Sequence, residues 1–159
     1  MHTTSPHQPR TAGAFAQQLS STPRGARRAR LLVAERLTAW KVSPGVAERA
    51  VQITAELAAN AVFHGRVRGR DFRVTLTRAP RTGGVRIEVT DARGERLPTT
   101  PPYPEEPSAE AESGRGLLLV EALADRWGVE PYPPGGKTVW AEIEPAHPVR
   151  RPAPGRPSP

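Results

Sequence analysis

Glu56, Asn60 and His64 fall four residues apart, so on a helix they share one polar column. A carboxylate and a carboxamide side by side suit a divalent-cation site built from oxygen donors. The Asn60 carbonyl can hold Mg²⁺, and the Glu56 carboxylate can orient or deprotonate a water. The same spacing also describes a solvated helix flank, and His64 at a helix end is suited to the negative pole of the macrodipole. Ser113-Gly114-Arg115-Gly116 precedes an apolar run, where a helix start offers free N–H groups to an anion and glycine lets a phosphate come close; a plain linker reads equally well. Asp91 closes an apolar strand, where it can accept a hydrogen bond from an amino group such as that of adenine, or simply initiate a turn. Thr138 begins a last strand, with a hydroxyl able to bond a base edge, although strand propensity alone would also put threonine there. No G-x-x-x-x-G-K-[ST] occurs, and no G-x-G-x-x-G follows a strand.

The periodicities say what carries these groups. Arg27–Trp40 places Leu32, Val33, Leu37 and Trp40 on one helical face. Ser43-Pro44 supplies an N-cap and a proline at the first helical position. From Val46 to Ala61 apolar residues recur at the three-four spacing of a long amphipathic helix ending near His64-Gly65. Phe72, Val74 and Leu76 alternate as a strand, Pro80–Gly84 is a turn, and Val85, Ile87 and Val89 form its antiparallel partner. Gly114-Arg115-Gly116 opens a third helix through Leu117–Ala124. Trp127–Glu130 reads as a short strand, and Val139, Ala141 and Ile143 as the last. The expected fold is therefore α+β, a two-layer α/β sandwich with helices on one face of a mixed, mainly antiparallel sheet.

Proline punctuates this order. Of 19 prolines, six fall in 145–159, five in 98–107 and three in 1–24, which sets expected boundaries: a disordered tail over 1–24, one domain over 25–144, and a Pro/Arg-rich tail over 145–159. Within the domain, 97–113 is too rich in Pro and Glu to pack and reads as a lid or linker. The formal charge of +7 comes from those ends, because 31–144 carries 15 basic against 16 acidic groups. A basic nucleic-acid face built into the fold is thereby disfavoured, leaving only the arginine tails as a source of salt-sensitive binding. The absence of cysteine excludes disulfides, thiolate catalysis and Cys-based metal sites. With neither a twelve-residue apolar run nor a signal-like start, the expectation is a cytoplasmic protein without membrane contact.

Taken together, the four segments resemble those of the GHKL, or Bergerat-fold, ATPases, and among them the anti-sigma-factor serine kinases and their small ATP-binding relatives, over about residues 25–144. Glu56-Leu57-Ala58-Ala59-Asn60-Ala61-Val62-Phe63-His64 is similar to the N box, E-L-x-x-N-A-x-x-H. Val89-Thr90-Asp91-Ala92-Arg93-Gly94 stands where the G1 box belongs. Gly114-Arg115-Gly116-Leu117-Leu118-Leu119-Val120 resembles the G2 box, and Gly136-Lys137-Thr138-Val139-Trp140-Ala141-Glu142 the closing G3 segment.

The resemblance implies ATP and Mg²⁺ as cofactors, with Asn60 on the metal, Glu56 as general base and Asp91 reading the adenine amino group. Gly114, Arg115, Gly116 and Leu117 would surround the phosphates, Thr138 would support the adenine, and 97–113 would be the ATP lid. It further implies transfer of the γ-phosphate to a serine of an anti-anti-sigma, STAS-type protein, and binding of a sigma factor. Helix 27–40 could supply a homodimer face as in related kinases, although the core needs its apolar side equally. The G1 pattern of the family is D-x-G-x-G, whereas here Arg93 and Glu95 hold the glycine positions and Gly94 lies between them, able to serve if the turn shifts by one. Those two substitutions, and a lid with a single G-x-G, leave a non-catalytic nucleotide-binding interaction module as the alternative.

Overall fold

The computed structural model describes residues 13–64, 67, 69–94 and 109–146, the side chains of 109–115 excepted. Its order is β1 (Ala14–Leu19), α1 (Pro23–Ala39), α2 (Pro44–Phe63), β2 (Phe72–Arg78), β3 (Val85–Asp91), α3 (Ala109–Leu123), β4 (Arg126–Tyr132) and β5 (Gly136–Ile143). The five strands form one open sheet in the order β1-β2-β3-β5-β4, antiparallel at every pairing. The sheet is thus not mixed among the described strands. The two-layer α+β arrangement is as expected.

Strand alternation builds the core. Phe72, Val74 and Leu76 of β2, Val85, Ile87 and Val89 of β3, and Val139, Ala141 and Ile143 of β5 point to the helix layer and are buried. Ala50, Ile53, Leu57, Ala58 and Ala61 of α2 and Ala29, Val33 and Leu37 of α1 close over them. The opposite face is polar. There Arg86 pairs with Glu142 at 2.8 Å and Glu88 at 3.2 Å and stacks over the Trp140 ring at 4.4 Å. Partial burial pulls this guanidinium down, but the hydrogen bonds it donates to Glu142 and Glu88 outweigh that and leave it above its ordinary value. Trp140 in turn lies on Gly128, where a Cβ would come within 2.8 Å of the indole.

Three boundaries differ from expectation. The stretch assigned to an N-terminal tail contains β1, which pairs with β2 from Ala14↔Thr77 to Leu19↔Phe72. As an edge strand it buries only Leu19 and lays Phe15 under Arg36, so Gln17 and Gln18 give it no hydrophobic run to read. Helix α1 starts at Pro23 rather than Arg27, capped by the Thr22 side chain, which accepts from the Gly25 N–H at 3.1 Å. Helix α3 starts at Ala109, because the strong helix formers of Ala-Glu-Ala-Glu extend it upstream of the glycines. Ser43 and Pro44 do open α2, but the Ser43 side chain makes no capping bond. Residues 1–12, 95–108 and 147–159, which include most of the expected lid and the C-terminal tail, lie outside the described residues. Among those described, no helix is long and apolar enough to cross a membrane.

Arg49 of α2 fastens the layers at one end of the fold. It donates to the Glu144 carbonyl beyond β5 at 2.6 Å and to the Leu123 carbonyl at the end of α3 at 3.4 Å, tying three elements through one planar fork.

Candidate functional site

The apolar stripe of α2 must face the sheet, which places Glu56 and Asn60, both half-buried, on the adjoining flank. Helix α3 packs against this helix. At the contact stands Gly116, buried and without a side chain. A Cβ there would lie 2.7 Å from Glu56 Oε2 and 3.8 Å from Asn60 Oδ1. The N-box carboxylate, the N-box carboxamide and the second glycine of the G2 segment therefore meet at one point. His64 is the C-cap of α2, and its N–H closes on the Asn60 carbonyl at 2.9 Å.

The glycine segment itself is placed otherwise than its sequence suggests. Gly114, Arg115, Gly116 and Leu117 lie inside α3, five or more residues beyond its first residue. Their N–H groups belong to the helical ladder, whereas the free amides of the first turn fall at 109–112. Leu117 is 2% exposed and is part of the core. The Arg115 side chain is outside the described residues.

A second cluster forms where β3 ends and β5 begins. The register continues the core ladder, Ile87↔Ala141 and Val89↔Val139, by one further rung, Asp91↔Lys137. Both side chains are buried, at 6% exposure each, and the Lys137 Nζ lies 3.0 Å from Asp91 Oδ1 and 2.9 Å from Oδ2. The same ammonium donates to the Arg93 carbonyl at 2.8 Å, and the Arg93 N–H donates to Asp91 Oδ1 at 2.9 Å. Gly94 follows, its N–H bonded to the Gly135 carbonyl at 2.7 Å. A Cβ on Gly94 would lie 2.7 Å from the Gly136 carbonyl oxygen, and one on Gly136 would lie 2.5 Å from that of Asp91. The G1 and G3 segments thus cross backbone against backbone. Gly135, at φ +109°, turns the chain into this crossing.

Thr138 stands on the other side of the sheet. Its hydroxyl is 2.8 Å from that of Thr90, its cross-strand partner on the polar face. The residue that faces Asp91 is Lys137, which the sequence reading passed over. Parity was the available signal: Val139, Ala141 and Ile143 fix the inward positions of β5, and Lys137 shares them.

The donors present suit Mg²⁺. Glu56 and Asn60 offer hard oxygens, and no group of three or more His, Cys, Asp or Glu among the described residues forms a closed protein cage. Mg²⁺ characteristically takes one or two protein oxygens and completes its shell with phosphate and water.

Placement of Gly116 leads to a first test. A helix-interior Gly→Ala change ordinarily stabilises by about 0.5–1 kcal/mol. Here the added methyl meets the flexible end of Glu56 rather than backbone, so Gly116→Ala should keep or raise stability in urea melts while displacing the carboxylate. A marked loss of stability would contradict the placement.

Residues 19–143 match the sequence model of a family described as the histidine kinase-like ATPase domain. Comparison with curated proteins finds no match. Among solved structures, the fold is similar to that of the RsbU and RsbW domains of Rv1364c from Mycobacterium tuberculosis, with TM-score 0.63 and 22% identity over 86% of this chain. This chain spans only 34% of that one. It is also similar to a chain of the SiaB-SiaC complex from Pseudomonas aeruginosa, with TM-score 0.61 and 13% identity over 84% of this chain and 91% of that one.

Proposed function

Because this chain belongs to the histidine kinase-like ATPase domain family, whose name implies nucleotide binding, we propose that it is an ATP- and Mg²⁺-dependent regulatory kinase of the anti-sigma-factor type. The observation that carries this reading is the meeting of Glu56, Asn60 and Gly116 between α2 and α3. Its substrate is a serine of an anti-anti-sigma, STAS-type protein, and its second partner is a sigma factor. The likeness to a chain of the two-protein SiaB-SiaC complex and to part of a chain that holds RsbU and RsbW domains supports a partner-switching role. Homodimerisation through α1 and a cytoplasmic setting belong to the same proposal.

In this mechanism the serine hydroxyl oxygen attacks the γ-phosphorus, the bond from that phosphorus to the β–γ bridging oxygen breaks, and ADP departs. Glu56 accepts the hydroxyl proton. Asn60 would hold Mg²⁺ through its side-chain oxygen, and the ion would supply neutralisation of phosphate charge. Gly116 keeps the space beside both oxygens clear. Asp91, Gly94 and the 97–113 segment complete the nucleotide side of the proposal, with Gly114 and Arg115 near the phosphates.

Incubation with labelled ATP and a STAS-type protein should move the label to a serine, and Glu56→Ala should reduce the rate by about 100-fold or more, the low end for a positioned general base. A second reading, a nucleotide-binding module without transfer, is favoured by the course of α3 through Gly114–Gly116, which ties up the glycine amides. It requires ATP and ADP to stabilise the protein alike, with no labelled product.

A further inference from the structure

The inward ladder of β3 and β5 is apolar for three rungs and then ends in a buried ion pair. A buried lysine is costly to keep charged unless it is paired, and Lys137 is paired with both carboxylate oxygens of Asp91 and with the Arg93 carbonyl. An ionised carboxylate offers roughly four acceptor positions. The ammonium takes one on each oxygen, and the Arg93 N–H takes another on Oδ1. The group that would read an amino hydrogen on a purine is therefore already engaged by a competing donor from the neighbouring strand. Only two lysines occur among 23 basic residues, and the other 21 are arginines. The one facing Asp91 sets its positive charge between both carboxylate oxygens.

We propose that Lys137 is a specificity-determining residue of the nucleotide site: it holds Asp91 in an ion pair that an incoming base must share or break. The chain therefore binds adenine nucleotides weakly and discriminates little between adenine and guanine, most of the affinity coming from the phosphate side. This rests on the nucleotide-binding reading above. A 6-amino group arriving at Asp91 meets an ammonium, donor against donor. A 6-oxo group can accept from that ammonium, so the advantage a bare carboxylate would give adenine is cancelled.

Calorimetric titration of Mg-ATP and Mg-GTP into the wild-type chain, Lys137→Thr and Lys137→Arg tests this, with thermal melts confirming folding. The wild type should prefer ATP by less than about tenfold, far short of the discrimination of sites built to hydrogen-bond one substrate group. Lys137→Thr should tighten ATP by about tenfold or more and leave GTP within about twofold, while Lys137→Arg stays like wild type. A wild-type preference above about tenfold, or an ATP/GTP ratio unmoved in a folded Lys137→Thr, overturns the inference and leaves nucleotide binding standing. Should Lys137→Thr fail to fold, the wild-type ratio decides alone. No binding of either nucleotide by any of the three folded proteins overturns the nucleotide reading and this inference with it.

Discussion

Replacing Asn60 with alanine should weaken Mg-ATP binding by more than ~10-fold, the scale on which even supporting groups of a metal site act. The fold should stay intact. Asn60 is half-buried on the flank of α2, outside the apolar stripe, and its backbone carbonyl, which accepts from the His64 N–H, survives the change. Alanine is also the better helix former. The loss should therefore appear as a weaker thermal shift with Mg-ATP at unchanged or higher ligand-free stability. With EDTA replacing Mg²⁺, wild type and variant should converge, because in the proposed site the removed oxygen acts through the metal. Equal Mg-ATP affinity in the two proteins would overturn the assignment.

Gly136→Ala should have the largest effect on the fold itself. Its Cβ would stand 2.5 Å from the Asp91 carbonyl and 3.2 Å from that of Tyr132. Both obstacles are backbone in adjoining strands, so neither can swing aside as the Glu56 carboxylate can for Gly116→Ala. Overpacking of this kind costs about 1–3 kcal/mol, and here it pries apart the rung that holds Asp91 against Lys137. The variant should melt several degrees lower by calorimetry and lose nucleotide binding with the same change. By contrast Gly135→Ala meets no atom within 4 Å and suffers only from its positive φ. It should spare the ion pair and, with it, nucleotide binding. If the two variants lose nucleotide binding alike, the close crossing is not what matters at Gly136.

Legibility in the sequence followed how much each residue contributes to a pattern. Long apolar periodicities located α2, β2, β3 and β5, because those elements bury whole faces. The edge strand β1 buries one leucine, so its polar letters look like a tail, and only the pairing partner β2 reveals it. Glu56 and Asn60 were readable from spacing, while their meeting with Gly116 depends on how α3 packs on α2, which no local pattern encodes. The glycine segment misled for a local reason. Its glycines suggest a helix start, and the alanines and glutamates before them prevail. Thr138 and Lys137 differ by one position, and in a strand one position decides the face. The motif pointed to the hydroxyl; the pleat turns the ammonium inward.

The strand order has a kinetic corollary. Hairpins β2–β3 and β4–β5 are each closed by short turns and need little chain entropy to form. Joining them along β3–β5 requires the whole 92–135 span to be looped back, so this seam, like the β1–β2 pairing across 20–71, is a high-contact-order step of assembly. The Asp91–Lys137 rung lies at its mouth. A ligand held there would act chiefly on the rate at which the two hairpins separate, lengthening the life of the assembled sheet without hastening its formation.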